Sequence, residues 1–119
     1  VKITAIHIDN TGDANKATPL AVTSTSGNDA NGPYLHVFLY YMDTNYQLNR
    51  VVGTARGTNI AWKDSQGVAA PPLQDNTLMA VTTDGQDNYV YYLQDGQPDY
   101  IAYKDLQTPE WFEPPRKET

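Results

Sequence analysis

Cysteine is absent from the 119 residues. Its absence excludes disulfides, thiol catalysis and thiolate metal sites, so stability has to come from packing. Histidine is scarce: His7 and His36 are far apart and each sits in a strand-like run, where it reads as structural, leaving zinc without a ligand set. Basic residues are few, with 8 Lys plus Arg against 14 Asp plus Glu and a net charge of −6. That balance excludes a surface built to neutralise nucleic-acid phosphates or anionic lipid. Serine is limited to Ser24, Ser26 and Ser65, none of them in a Gly-x-Ser-x-Gly elbow. Phosphate-binding glycine loops and metalloprotease motifs are missing too, so the expectation is a protein that is not an enzyme and carries no cofactor.

The acidic residues gather in turns, where solvated turn formation accounts for them. The segment from Asp9 to Asn15 looks like a calcium loop but fails the pattern, because Ala14 stands where the turn glycine belongs and Leu20 where the bidentate glutamate belongs. Asp84-Gly85 reads as a hairpin turn. No uncharged apolar run approaches the ~18 residues of a membrane span, and the opening Val1 to Ile8 is too polar for a signal-peptide core. The chain is expected to be soluble without membrane insertion, with secreted and cytoplasmic locations both open.

Apolar residues never recur at helical spacing over a useful window, whereas nine Tyr and thirteen Thr cluster with Val in short runs. The fold class predicted is all-β. Strands are expected at 3–8, 20–23, 34–42, 47–52, 59–62, 77–82, 88–93 and 100–103, with a loop over 24–33 and a polar connector over 63–76. The nearly unbroken apolar run of 34–42 predicts burial on both faces. Residues 1–113 form one domain in this reading, and the Pro-rich, charged segment 114–119 a flexible tail.

Two halves of the chain share an ordered set of landmarks. Leu20-Ala21-Val22-Thr23 lies on Met79-Ala80-Val81-Thr82, Leu39-Tyr40-Tyr41-Met42 on Val90-Tyr91-Tyr92-Leu93, and Trp62 on Trp111. The copies run from about 18 to 62 and from about 76 to 112. Short strands repeating at such a period, each unit closed by a late tryptophan, predict two propeller-like blades. A single sandwich or barrel of about seven strands is the alternative.

The order Leu-Ala-Val, turn, Val-Tyr-Tyr, Asp-Gly turn, short strand, Trp resembles the blade of the fungal fucose-binding lectins, six-bladed β-propellers of the Aleuria type. The resemblance covers roughly residues 18–112. It implies a sugar bound between neighbouring blades by an Arg, a Glu and a Trp. The family Arg falls on Phe38 or His36 in the first copy and on Tyr89 in the second, and the family Glu falls on Arg50 and Ala102. Neither copy keeps the charged pair, while Trp62 and Trp111 match the family tryptophan. Two blades expose edge strands that invite pairing with another chain, and the resemblance implies a homotrimer that makes six. The expected function is lectin-like binding of a neutral glycan by aromatic stacking and hydrogen bonds, with Trp62, Trp111, Tyr89, Tyr91, His36 and Arg50 as site residues. The alternative is a small β-rich interaction module that acts on a protein partner.

Overall fold

A computed structural model describes residues 11–108 and Trp111. The expected strand at 3–8, His7 and the expected tail at 114–119 lie outside the described residues. Those described are all-β: β1 (Leu20–Asp29), β2 (Gly32–Met42), β3 (Leu48–Arg56), β4 (Asn59–Trp62), β5 (Gln66–Gly67), β6 (Met79–Thr83), β7 (Asp87–Leu93) and β8 (Tyr100–Leu106). Neighbouring strands pair antiparallel throughout, giving one sheet in the order β1-β2-β3-β4, with β5 added on β3, and a second in the order β6-β7-β8.

The expected loop over 24–33 is instead a long hairpin. Its strands run to Asp29 and resume at Gly32, whose φ of +103° suits the tight reversal. Thr23 and Thr25 alternate with Ser24 and Ser26 along it, a pattern that pairs as readily as it loops. The Asp29 carboxylate ion-pairs with Arg56 of β3 and ties the hairpin end to its neighbour strand. The connector over 63–76 likewise contains a strand, β5, which pairs with Asn49 and Arg50.

Period-2 alternation divides each sheet into two faces. In the first sheet, Phe38, Tyr40, Met42, Leu48, Arg50 and Val52 point one way, and Leu39, Tyr41 and Val51 the other. In the second, Val90, Tyr92, Ile101, Tyr103 and Asp105 share a face, and Tyr89, Tyr91, Ala102 and Lys104 share the opposite one. The first set of each sheet packs together, with Val68, Leu73 and Trp111, into the main core. We call the Phe38/Tyr40/Arg50 side of a sheet its leading face and the Val90/Tyr92/Asp105 side its trailing face.

The two sheets are built by the same hydrogen bonds. Asn15 N–H donates to Met42 O at 2.8 Å, and Gln74 N–H to Leu93 O at 2.8 Å. The Met42 N–H donates to Thr18 Oγ1 at 2.7 Å, and the Leu93 N–H to Thr77 Oγ1 at 2.8 Å. Tyr46 N–H reaches Asp43 O as Gln97 N–H reaches Gln94 O, each at 3.1 Å. Isolated bridges join Ala14 to Asp43 and Leu73 to Gln94 in the same relation. Residue by residue, Met42 thus corresponds to Leu93, Tyr40 to Tyr91, Tyr41 to Tyr92 and, through the strand pairings Met42/Leu48 and Leu93/Tyr100, Arg50 to Ala102 and Gly53 to Asp105. Equivalent residues therefore meet head to tail: the leading face of the first unit sits on the trailing face of the second.

Candidate functional site

The junction between the sheets contains a buried polar network. Arg50, on β3, directs Nη1 to Asp105 Oδ2 of β8 at 2.7 Å, with both side chains 8% exposed. The Tyr40 hydroxyl donates to the same carboxylate oxygen at 2.6 Å and accepts from Asn88 Nδ2 at 3.0 Å. Gln107 Nε2 donates to Asn88 Oδ1 at 2.9 Å. Burial, then the facing Asp105 carboxylate, holds the Tyr40 phenol far above its ordinary range, so it serves as a neutral donor. Every member has a partner, as a network in a low-dielectric interior requires.

Trp111 lies over this network. The Arg50 guanidinium carbon stands 3.6 Å from the indole centroid, and Phe38 meets the ring edge-on at 5.7 Å. A guanidinium stacked this way gains about 0.5 to 2 kcal/mol according to its desolvation. Beside it opens a shallow notch of about 10 Å³ lined by Arg50, Val52, Lys63, Asp64, Gln66 and Trp111. Gln66 Oε1 accepts from Arg50 Nη2 at 3.3 Å, which fixes the cleft floor. Strand β5 places Gln66 opposite Arg50, and β4 delivers Lys63 and Asp64 just past its end.

The six residues singled out by sequence do not form one site. Arg50 and Trp111 come together at the junction, but Trp111 is only 7% exposed and its face is taken by Arg50 instead of lying open to a sugar ring. Arg50 is itself buried because Asp105 pairs with it. Trp62, half-buried on β4, belongs to the trailing face of the first sheet and packs on Leu39, Tyr41 and Val51. Its ring crosses Gly53 so closely that a Cβ there would lie 2.7 Å from Cε3. His36 shares a face of β2 with Phe38, with Nδ1 3.2 Å from Thr54 Oγ1 and the ring 4.5 Å from that of Tyr34. Burial, and then Arg56, lowers its pKa below the usual imidazole range. Tyr89 and Tyr91 stand on the leading face of the second sheet, with Tyr91 exposed and the Tyr89 hydroxyl donating to Asp84 Oδ2 at 3.2 Å.

Asp105, Asn88, Gln66 and Lys63 escaped the sequence reading. A usable signal existed for Asp105: it continues the alternation of Ile101 and Tyr103, and a carboxylate at an inward position needs a buried partner. Among the described residues no group of three or more His, Asp or Glu is arranged to hold a metal, and no helix is long and apolar enough to cross a membrane.

No protein-family model matches the chain, and no solved structure matches it. The wall-associated proteinase of Coccidioides immitis (strain RS) is 36% identical over 115 residues, which are 95% of this chain and 37% of that protein. The protein of the same name from Coccidioides posadasii (strain RMSCC 757 / Silveira) is 35% identical over 113 residues, 93% of this chain and 36% of that protein. The chain therefore spans a little over a third of the length of the relatives it matches.

Proposed function

We propose that the chain is a pair of propeller-type units that binds a neutral glycan of a cell wall, and that it acts by binding and not by catalysis. The observation that carries this reading is the cleft between two equivalent units, where Gln66, Asp64, Lys63 and the Arg50 guanidinium surround the rim of a tryptophan. Amide, carboxylate and ammonium groups converging on a small hollow suit the dense hydroxyls of a sugar, and an indole edge suits its C–H surface. The lectin resemblance implies a sugar at the same kind of place, between neighbouring blades. Stacking on an open Trp111 ring is replaced in this proposal by hydrogen bonds from the cleft rim, with Trp111 and Arg50 as the floor.

Two features of the relatives support the reading. Their name carries the words "wall-associated", and a fungal wall presents polysaccharide. Their length, about 310 residues by the share matched, has room for about six units at the spacing seen between the two copies here. Proteolysis is not assigned to this chain, since the cleft groups favour hydrogen bonding over nucleophilic attack.

Immobilised wall polysaccharides and a glycan array test the proposal. The native chain is expected to retain at least one neutral glycan, and Gln66→Ala and Lys63→Ala, both at the cleft rim, to weaken it about tenfold with an unchanged circular dichroism spectrum. Absence of any retained neutral glycan at high protein density would contradict the proposal.

A further inference from the structure

We propose that the notch beside Trp111 receives one chemical group, the primary hydroxyl on the hydroxymethyl arm of a hexose, so that the glycan bound is a 6-hydroxy hexopyranoside and neither a 6-deoxy sugar nor a uronate. This rests on the glycan reading above and names the part of the sugar that is read.

Size sets the first limit. The notch holds about 10 Å³, at the lower edge of the roughly 10 to 15 Å³ that one water-sized oxygen needs. A pyranose ring cannot enter. A hydroxyl on the ring is a poor fit too, because its carbon is locked into the ring and brings both ring neighbours to the rim. The C6 hydroxyl stands on a rotatable arm one carbon further out, so it can enter while the ring stays outside.

The lining matches both parts of that arm. Val52 and Trp111, each nearly buried, give an apolar wall for the methylene. Arg50, Gln66 and Asp64 supply the polar wall. The Arg50 guanidinium gives Nη1 to Asp105 at 2.7 Å and Nη2 to Gln66 Oε1 at 3.3 Å, two uses of a group with five N–H donors. The bond to Gln66 is longer than the ordinary range of about 2.7 to 3.2 Å. Gln66 is also exposed, so its side chain has room to yield. A hydroxyl seated between the two accepts from the guanidinium and donates to the amide oxygen, which replaces one long bond by two of ordinary length.

The same chemistry disfavours the two variants of that arm. A methyl group, as in a 6-deoxy sugar, neither accepts nor donates and displaces water from the polar wall without replacing its hydrogen bonds. A site that hydrogen-bonds a hydroxyl rejects the analogue lacking it more strongly than an apolar pocket rejects an added hydroxyl. A carboxylate, as in a uronate, accepts from Arg50 but has no hydrogen to give Gln66 Oε1. It would also face Asp64, on a chain of net charge −6, while the Arg50 charge is already neutralised by Asp105.

Competition for an immobilised neutral glycan that the native chain retains tests the proposal. The competitors are the methyl glycosides of glucose, mannose and galactose, each beside its 6-deoxy and its uronate counterpart. At least one hexoside is expected to compete, and both of its counterparts to compete about tenfold less well. Gln66→Leu, exposed on β5 and with a native circular dichroism spectrum, should lower the affinity for that hexoside to the level of its 6-deoxy counterpart and leave the 6-deoxy sugar unchanged. Equal competition by the 6-deoxy sugar, stronger competition by the uronate, or an undiminished preference in Gln66→Leu would overturn this proposal and leave glycan binding standing. A native chain that retains no neutral glycan would overturn both.

Discussion

Two surfaces of this molecule stand on equivalent strand positions with different chemistry. The internal junction is sealed by Tyr40, Arg50, Asn88 and Asp105, a closed polar network in the middle of an apolar core. The outer faces, built on the same strand positions, put Tyr91, Ala102, Val37 and Gly53 in those places. The difference teaches what the network is for. A buried ion pair contributes little net stability over an apolar replacement, but it penalises a mismatched partner heavily. Arg50 and Asp105 therefore make the junction within the chain specific, whereas Gly53, at the place equivalent to Asp105, offers no carboxylate.

The sharpest way to break the comparison is Asp105→Ala. It leaves the Arg50 guanidinium buried and unpaired, and should cost about 3 to 5 kcal/mol in urea unfolding, against under about 0.5 kcal/mol for the exposed Lys104→Ala on the same strand. Next comes the hydroxyl. Tyr40→Phe strands the Asn88 amide and removes a donor from Asp105, for an expected loss of about 1 to 3 kcal/mol, whereas Tyr91→Phe at the equivalent, exposed position should be near neutral. Gly53→Ala comes third: a Cβ 2.7 Å from the Trp62 ring forces the indole to shift, at about 1 to 3 kcal/mol. Gly67→Ala, whose new Cβ would meet nothing closer than Asn49 Oδ1 at 4.0 Å, is the control.

The smallest expected effect is a pH dependence at the hairpin. His36 has its pKa lowered by burial and by Arg56, with Asp29 acting the other way, so the fold favours the neutral ring and the unfolded chain binds more protons. Stability from this group is full above the ordinary imidazole pKa of 6.5 and is lost as pH falls below it. The carboxylates of Asp29 and Asp84, both held below the ordinary 3.8, lose their contribution only in more acid solution. Urea midpoints at pH 8 and pH 5 should differ more for the native chain than for His36→Gln.

Much of the fold was legible. The aromatic run of β2, the Tyr-rich β7 and the paired landmarks of the two copies carry their strand character in composition and period. The hairpin over 24–33 was not, because alternating Thr and Ser give no hydrophobic period, and only the tertiary tie between Asp29 and Arg56 distinguishes strand from loop. The candidate site was legible in part. Trp111 and Arg50 do line one cleft, but their mutual stacking and the burial of Arg50 depend on Asp105, which is 55 residues away from Arg50 in the chain. Nothing in local periodicity reports a contact of that range. Tyr89 and Tyr91 read as sugar-facing residues because exposed aromatic rings suit a glycan and a protein face equally well.

That the buried Arg50–Asp105 pair joins the two sheets is tested most directly by urea unfolding of the double variant Arg50→Met/Asp105→Leu beside Asp105→Ala. The double variant should recover most of the stability that Asp105→Ala loses, because it removes both buried charges together. A single Asp105→Ala variant as stable as the native chain would contradict it.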